Sequence, residues 1–437
     1  MANVNGQIIG TGYFNNLAIC QSGNLMTWGH NGGGELGTGN SMTVQNSNVP
    51  VNVISLTNLT AVAGGDYYAM ALKSDGTVWS WGEDGTNNYS DVPVQIAGLS
   101  NVIAIAGGSS HSLALKSDGT VWAWGSNYQG YLGNGTTTPS STPVQVNNLS
   151  SITAIATKGR NCIALKNDGT IWAWGRNSYG AIGDGTTIDR YEPIQVSGLS
   201  GVKGIATGIE TSFALLSDST VWAWGYNAEA ELGIGNTIDQ LTPVQIPNFG
   251  SVKYIASGWY HSAAIKANGE LWMWGDNGFG YFGNGTTNPT LVPVEIPNLT
   301  GILAFSGGRY HSVFHKNDGT IWTSGFNDEG QLGDGTYNQS PSPVQVINLC
   351  QMTNNLNENN TQLNFNLYPV PTSDKLFIEI ENKTNVSIEI IDGTGKVLID
   401  ELYSQSGIDV NELTQGLYFL KITSDKGSQT VQFNKSY

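Results

Sequence analysis

A motif of two tryptophans and a glycine returns down the chain as VWSWG (Val78–Gly82), VWAWG (Val121–Gly125), IWAWG (Ile171–Gly175), VWAWG (Val221–Gly225) and LWMWG (Leu271–Gly275). Weaker copies end at Gly29 and Gly325, with Met26 and Ser324 each replacing one tryptophan. The seven motif glycines are 53, 43, 50, 50, 50 and 50 residues apart. Self-similarity at this period leaves a solenoid, an array or a propeller as the architecture.

The content of one unit selects among these. It reads IAIAGGSSHSLALKSDGTVWAWGSNYQGYLGNG, then PVQV. IAIA and HSLALK are short strands, SDGT supplies an Asp-Gly hairpin of the type I′ kind, and VWAWG is a third strand with both tryptophans on one side. PVQV is a fourth, its proline suited to a strand start or an outer edge. Four short strands per unit, without helical periodicity, predict an all-β chain whose residues 1–350 form a seven-bladed β-propeller. The chain opens in mid-unit and its last unit ends in SPVQV (Ser342–Val346). We therefore expect that last strand to complete the first blade, a circular strand closure that leaves no open edge. Twelve of the 13 tryptophans lie in the motif, where large flat side chains fill the space between blades. The hairpin glycine is Ser219 in one unit, at a cost of about 1 kcal/mol if positive φ is kept.

Charge and cysteines narrow the function. A net charge of −16 argues against nucleic acid or an anionic membrane as the main partner. No apolar run is long enough for a transmembrane helix. Cys20, Cys162 and Cys350 form no CxxC pair, hence no zinc or redox motif. The start, MANVNGQIIG, has neither the basic nor the apolar part of a signal peptide. A trimmed or mature chain is the expectation, and a cytoplasmic one the alternative.

Chemistry is hard to place. His111, His261 and His311 share one repeat position; one ligand per blade does not converge on a metal, so hydrogen bonding within the blades is expected. Asp184 and Asp334 recur at one position of the IGDGT and LGDGT loops, without an EF-hand's spacing. No catalytic triad, acid–base carboxylate pair or phosphate loop stands out. We expect no cofactor, no metal and no enzyme activity.

GGSSHSLALKSDGTVWAWGSN (Gly107–Asn127) and LGNGTTTPSSTPVQV (Leu132–Val146) resemble the regulator of chromosome condensation (RCC1) repeat family. The resemblance spans residues 1–350 and implies a propeller that binds another protein with one face. Family members include a nuclear nucleotide-exchange factor, a plant ultraviolet-B photoreceptor and secreted inhibitors of β-lactamase. One unit departs from the pattern: WGEDGTNNYSDVPVQI lacks the LGxG loop.

The turns between first and second strands point to the contact face. Their variable pairs are Tyr13-Phe14, Asp66-Tyr67, Ser109-Ser110, Gly159-Arg160, Ile209-Glu210, Trp259-Tyr260 and Arg309-Tyr310. A merely structural turn favours Gly, Asn, Asp and Ser, whereas aromatics and arginine anchor interfaces. SGWYHS (Ser257–Ser262) is also similar to the photoreceptor family's GWRHT, which implies that Trp259 lies on the binding face. Tyr13, Phe14, Tyr67, Arg160, Trp259, Tyr260, Arg309 and Tyr310 are the candidate partner-binding residues. A second variable set, Tyr128, Tyr131, Tyr179, Phe279 and Tyr281, is expected to pack against the LGNGT loops.

After Cys350 the repeat stops. Residues 351–365 are polar and Asn-rich, as a linker is. Residues 366–437 alternate as KLFIEI, VSIEII, LYFLKI and TVQF between turn signals, and predict a small antiparallel β-sandwich. YPVPTSDKLFIEI (Tyr368–Ile380), DGTGKVL (Asp392–Leu398) and IDVNELTQGLYFLKI (Ile408–Ile422) resemble the type A sorting domain of the type IX secretion system of Bacteroidota. The matching residues are Tyr368, Pro369, Pro371, Gly395, Lys396, Gly416 and Tyr418; Val370 stands where the family usually has Asn. This resemblance implies export through the outer membrane, release or surface attachment, and the secretion machinery as a partner. The whole reads as a secreted or cell-surface propeller that binds a protein, or a glycan, on its aromatic face. The alternatives are a polysaccharide-active enzyme using the propeller funnel and a structural or adhesive surface protein.

Overall fold

A computed structural model describes residues 8–20, 23–39, 46–86, 89–349, 365–368, 375–380, 386–392, 396–402, 408–414, 416–424 and 427–435. It divides into two compact units, Met1–Asn355 and Leu356–Tyr437.

The first unit holds seven four-stranded antiparallel sheets, each built from four consecutive strands. They are blades 1 to 7, over residues 9–52, 59–95, 102–145, 152–195, 202–245, 252–295 and 302–345. Blade 3 shows the pattern: Val102–Gly107, His111–Lys116, Val121–Gly125 and Ser140–Gln145. HSLALK is buried on both faces, not on alternate residues, because a second strand lies between neighbouring blades. The fourth strand starts three residues before its proline, Pro143, which sits within an outer edge strand beside a bulge.

The hairpins differ from the expected type I′ turn. In blade 3, Gly119 N–H donates to Lys116 O (2.9 Å) and Lys116 N–H to Thr120 O (3.0 Å), and Gly119 has φ +79°. This is a type I turn closed by one left-handed residue. Asp118 stays right-handed and accepts from the Thr120 N–H (3.0 Å) and hydroxyl (2.6 Å). Ser219 holds the left-handed place in blade 5, at φ +69°. Ser219→Gly should therefore stabilise the propeller by about 0.5–1 kcal/mol; an unchanged denaturation midpoint would show that the Lys203–Ser219 contact (3.1 Å) offsets the strain.

The two motif tryptophans do different work. The first, as in Trp122, is partly exposed beneath Lys116, whose ammonium lies 5.4 Å from the ring. The second is buried and donates its indole N–H to the preceding blade. Trp28, Trp81, Trp174, Trp224 and Trp274 reach Gln331 O (3.0 Å), Glu35 O (2.8 Å), Tyr131 O (2.8 Å), Ala181 O (2.9 Å) and Glu231 O (2.8 Å). Ser324 keeps the bond without the ring, from its hydroxyl to Tyr281 O at 2.8 Å. Trp124 follows the blade that lacks the LGxG loop, and its buried N–H finds no acceptor among the described residues.

Blade 1 is completed by its own strand Asn46–Asn52, and Ser340–Gln345 stays in the seventh sheet. The expected circular strand closure is thus corrected, since Asn46–Asn52 already fills the outer edge beside Met26–His30. Blade 7 meets blade 1 by other means. Trp28 and Asn16 both donate to Gln331 O, and one buried cluster joins Val313, Ile321 and Val346 to Leu17, Leu25 and Trp28. A circuit of backbone bonds also links the turns between first and second strands. It runs Tyr13→Gly65, Asp66→Ser109, Ser109→Gly159, Arg160→Ile209, Ile209→Trp259, Trp259→Gly308 and Arg309→Tyr13, at 2.9–3.4 Å.

Of the three cysteines, Cys20 is disulfide-bonded, Cys162 is free and buried, and Cys350 lies outside the described residues.

The second unit has a three-stranded sheet containing Phe365–Tyr368, Lys375–Ile380 and Ile408–Asp409, and a four-stranded sheet over residues 387–435. Leu376 and Ile408 from the first share a buried cluster with Ile388, Ile390, Leu420 and Ile422 from the second, which makes the unit a sandwich. Among the described residues no helix is long and apolar enough to cross a membrane.

Candidate functional site

The second strand of each blade runs away from the circuit of turns, and the third returns, pairing His111 with Gly125 in blade 3. The loops after the third strands therefore emerge on the same face as the turns. Sequence spacing left this open. The motif glycine makes the return possible: Gly125 has φ +106°, and a Cβ there would lie 2.5 Å from Ser110 O.

Blades 6, 7, 1 and 2 bring the candidate residues together. Tyr13 meets Phe14 (4.5 Å), Tyr67 (5.8 Å) and Trp259 (4.6 Å). Tyr260 stacks on Tyr310 at 5.8 Å. Phe279 extends the cluster to Tyr310 and Phe326, each at 5.1 Å. Within it the Arg309 guanidinium lies 4.5 Å from the Tyr13 ring, 4.6 Å from Tyr310 and 5.7 Å from Trp259. Its Nε is buried without a hydrogen-bond partner. Trp259 is only 6 % exposed and supports the patch from below. Tyr67 is 41 % exposed; burial raises its phenol pKa, helped by Asp66, Glu35, Glu83 and Glu329.

Blades 4 and 5 make a charged half. Arg160 turns from the aromatic cluster toward Glu210 (3.4 Å), which also pairs with Arg176 at 2.9 Å. Burial raises the Glu210 carboxyl, and the two guanidiniums oppose that shift.

The second variable set divides. Tyr131 stacks on His111 (4.8 Å) and Tyr281 lies 4.9 Å from His261, both buried. Tyr128 is 72 % exposed, Tyr179 is also exposed, and Phe279 joins the patch.

The three histidines are brackets between blades. His111 Nε2 lies 3.0 Å from Thr157 Oγ1, His261 Nε2 2.9 Å from Ser312 Oγ, and His311 Nε2 2.8 Å from Asn16 Oδ1. Burial lowers each to about 3, so they are neutral. Asp184 is taken up by Arg190 and Thr186, and Asp334 by Thr336 and Asn327. No cluster of three His, Cys, Asp or Glu suited to a metal occurs among the described residues.

One residue escaped sequence reasoning. The first strands line an axial void of about 140 Å³, and Lys158 is among its lining residues. Lys158 reaches across to Thr11, donating to its carbonyl (2.6 Å) and hydroxyl (2.7 Å). In the other blades this position is Gly12, Gly65, Gly108, Gly208, Gly258 and Gly308. A Cβ at Gly65 would fall 1.8 Å from the Tyr68 ring, and one at Gly308 2.0 Å from His311. Blade 4 carries Asn161 there, turned to Ser212 Oγ (2.8 Å), which leaves room for a side chain. A lysine breaking a column of glycines was the available signal.

In the second unit Tyr418 is buried and donates to Thr414 O at 2.8 Å. Gly416 opens the strand Gly416–Ser424, Tyr368 pairs with Phe377, and Lys396 is exposed after a turn closed on Asp392 (3.1 Å). Pro369, Pro371 and Gly395 lie outside the described residues.

Repeated four-stranded blades around an axial void define a β-propeller. Residues 85–366, more than half of the chain, match the RCC1-like domain, and residues 22–72 and 59–89 match the regulator of chromosome condensation (RCC1) repeat. The chain belongs to the RCC1-like domain family. Residues 366–435 match the secretion system C-terminal sorting domain. A stretch of 76 residues is 32 % identical to the mitochondrial RCC1 domain-containing protein RUG3 of Arabidopsis thaliana, spanning 17 % of this chain and 16 % of RUG3. Human WBSCR16 superposes with a TM-score of 0.64 at 23 % identity, over 70 % of this chain and 86 % of its own. Yeast Prp20 bound to Kap60 does so with 0.66 at 22 % identity, over 80 % and 88 %. These likenesses establish the fold. The sorting domain supports secretion or a surface location and implies the type IX machinery; the cytoplasmic alternative has no support.

Proposed function

We propose that the chain is an exported binding protein whose propeller holds a protein partner on the aromatic face. The observation that carries this reading is Arg309. Tyr13 and Tyr310 hold its guanidinium, and among the described residues it has no ion pair. A rigid cation with a free edge, ringed by partly exposed tyrosines, has the composition of an interface hot spot. Yeast Prp20p, studied for its binding to Gsp1p and histones, shares the fold with a TM-score of 0.61 at 24 % identity, over 69 % of this chain and 80 % of its own. The funnel reading has less behind it: a void of about 140 Å³ crossed by Lys158 leaves no axial path for a polysaccharide.

The test is affinity. A protein crosslinked to the full chain in its producer's medium is purified and titrated against the chain and against Arg309→Ala and Tyr310→Ala. Each variant should weaken binding at least 30-fold, the loss expected of a hot spot of about 2 kcal/mol. Unchanged affinity in both variants removes this face as the site. A chain that retains only weak, unsaturable attachments is an adhesive surface protein instead.

A further inference from the structure

The axial void is a small well between the first strands. Ile103, 43 % exposed, and Thr153, also exposed, are among its lining residues. Small side chains, including Ala61, Ala104, Ala154 and Ala256, line it as well. Lys158 also lines it, held across the axis by Thr11.

The tetrahedral valences of Lys158 Nζ are informative. One bond goes to its own chain and two N–H groups are taken by Thr11 O and Oγ1. The fourth position has no partner among the described residues. Thr207 Oγ1, from the neighbouring blade, also lines the void, is buried and has no partner. Asp66 is the carboxyl whose charge acts on this amine, and Arg160 and Ser109 face Asp66 from blades 4 and 3. No salt bridge fixes the amine as an ion. The void that Lys158 lines has the size of a small organic molecule, for a cavity of about 150 Å³ holds a benzene ring.

We propose that the well is a binding site for small aldehydes and that Lys158 holds them as an imine. The Nζ lone pair adds to the carbonyl carbon, forming the C–N bond. The carbonyl π pair moves to oxygen, which takes a proton from Asp66, and Asp66 takes one from the nitrogen. Asp66 then protonates the carbinol hydroxyl. The nitrogen lone pair forms the C=N bond as water leaves. A protonated imine remains beside the Asp66 carboxylate, with no oxidant or reductant consumed. Burial supports both roles, lowering the pKa of the Lys158 amine and raising that of the Asp66 carboxyl.

The full chain is incubated at pH 7 with propanal and sodium cyanoborohydride, and lysine alkylation is followed by peptide mapping. Lys158 should be propylated at least tenfold faster than Lys396, which is exposed and belongs to the other unit. Asp66→Asn should slow Lys158 about tenfold and leave Lys396 unchanged. 2-Naphthaldehyde, too large for the well, should spare Lys158 while labelling Lys396. Labelling of Lys158 no faster than Lys396, no effect of Asp66→Asn in a chain with unchanged circular dichroism, or equal reaction with both aldehydes would each overturn the proposal.

Discussion

Trp81→Ala should lower the stability of the propeller by about 3–5 kcal/mol, the cost of deleting a large buried aromatic. Trp81 is 1 % exposed and packs in the cluster that joins blades 7, 1 and 2. The subtler comparison is with phenylalanine. Trp81→Phe keeps a ring but strands Glu35 O, which accepts the indole N–H at 2.8 Å. An unsatisfied buried carbonyl costs about 1–3 kcal/mol. Trp124→Phe removes an N–H that has no acceptor among the described residues, so it should cost less than its counterpart by about that amount. Denaturant titrations of the two variants decide the matter. Equal losses would mean that the indole bonds are incidental to blade packing.

Acid should unfold the propeller between pH 6.5 and 3. His111, His261 and His311 are 0–1 % exposed, and burial lowers each from 6.5 to about 3. A base whose folded pKa is lowered is protonated more readily in the unfolded chain. Stability is therefore full above pH 6.5 and is lost as the pH falls toward 3. Each histidine withdraws on the order of several kcal/mol over that window, against a typical total of about 5–15 kcal/mol. Asp66 and Glu231 act the other way, because burial raises their carboxyls, Glu231 to about 8. With Glu210, whose carboxyl burial also raises, they offset part of the loss from three histidines. His311→Gln, which can still bond to Asn16, should flatten the acid limb of a plot of Tm against pH. An acid limb of unchanged slope would place the lability elsewhere.

The period-50 tryptophans made the blades legible before any coordinates, because each unit repeats the same contact with its neighbour. The histidine brackets were legible for the same reason. Three features were not. Strand direction, which sets Phe279 and Phe326 beside Tyr310, is a property of a folded blade and leaves no mark in spacing. The hairpin turn depends on Lys116 pairing with Thr120 rather than on the Asp-Gly pair between them. Lys158 was hidden because its neighbour Gly159 supplied the glycine that the pattern led one to look for. Composition singled out the turns but carries no depth, and so it did not tell that Trp259 is a buried support and Arg160 a partner of Glu210.

The circuit of backbone bonds through the turns has a consequence for how such a protein changes over time. Its links are amides, common to every residue, so the fold asks little of the side chains at the same positions beyond the exclusion of proline from the donors. Tyrosine, aspartate, serine, arginine, isoleucine and tryptophan all serve there in this one chain. The side chains of this face can thus be rewritten turn by turn while the scaffold stands, and a lineage of such proteins can vary this surface without passing through an unfolded ancestor.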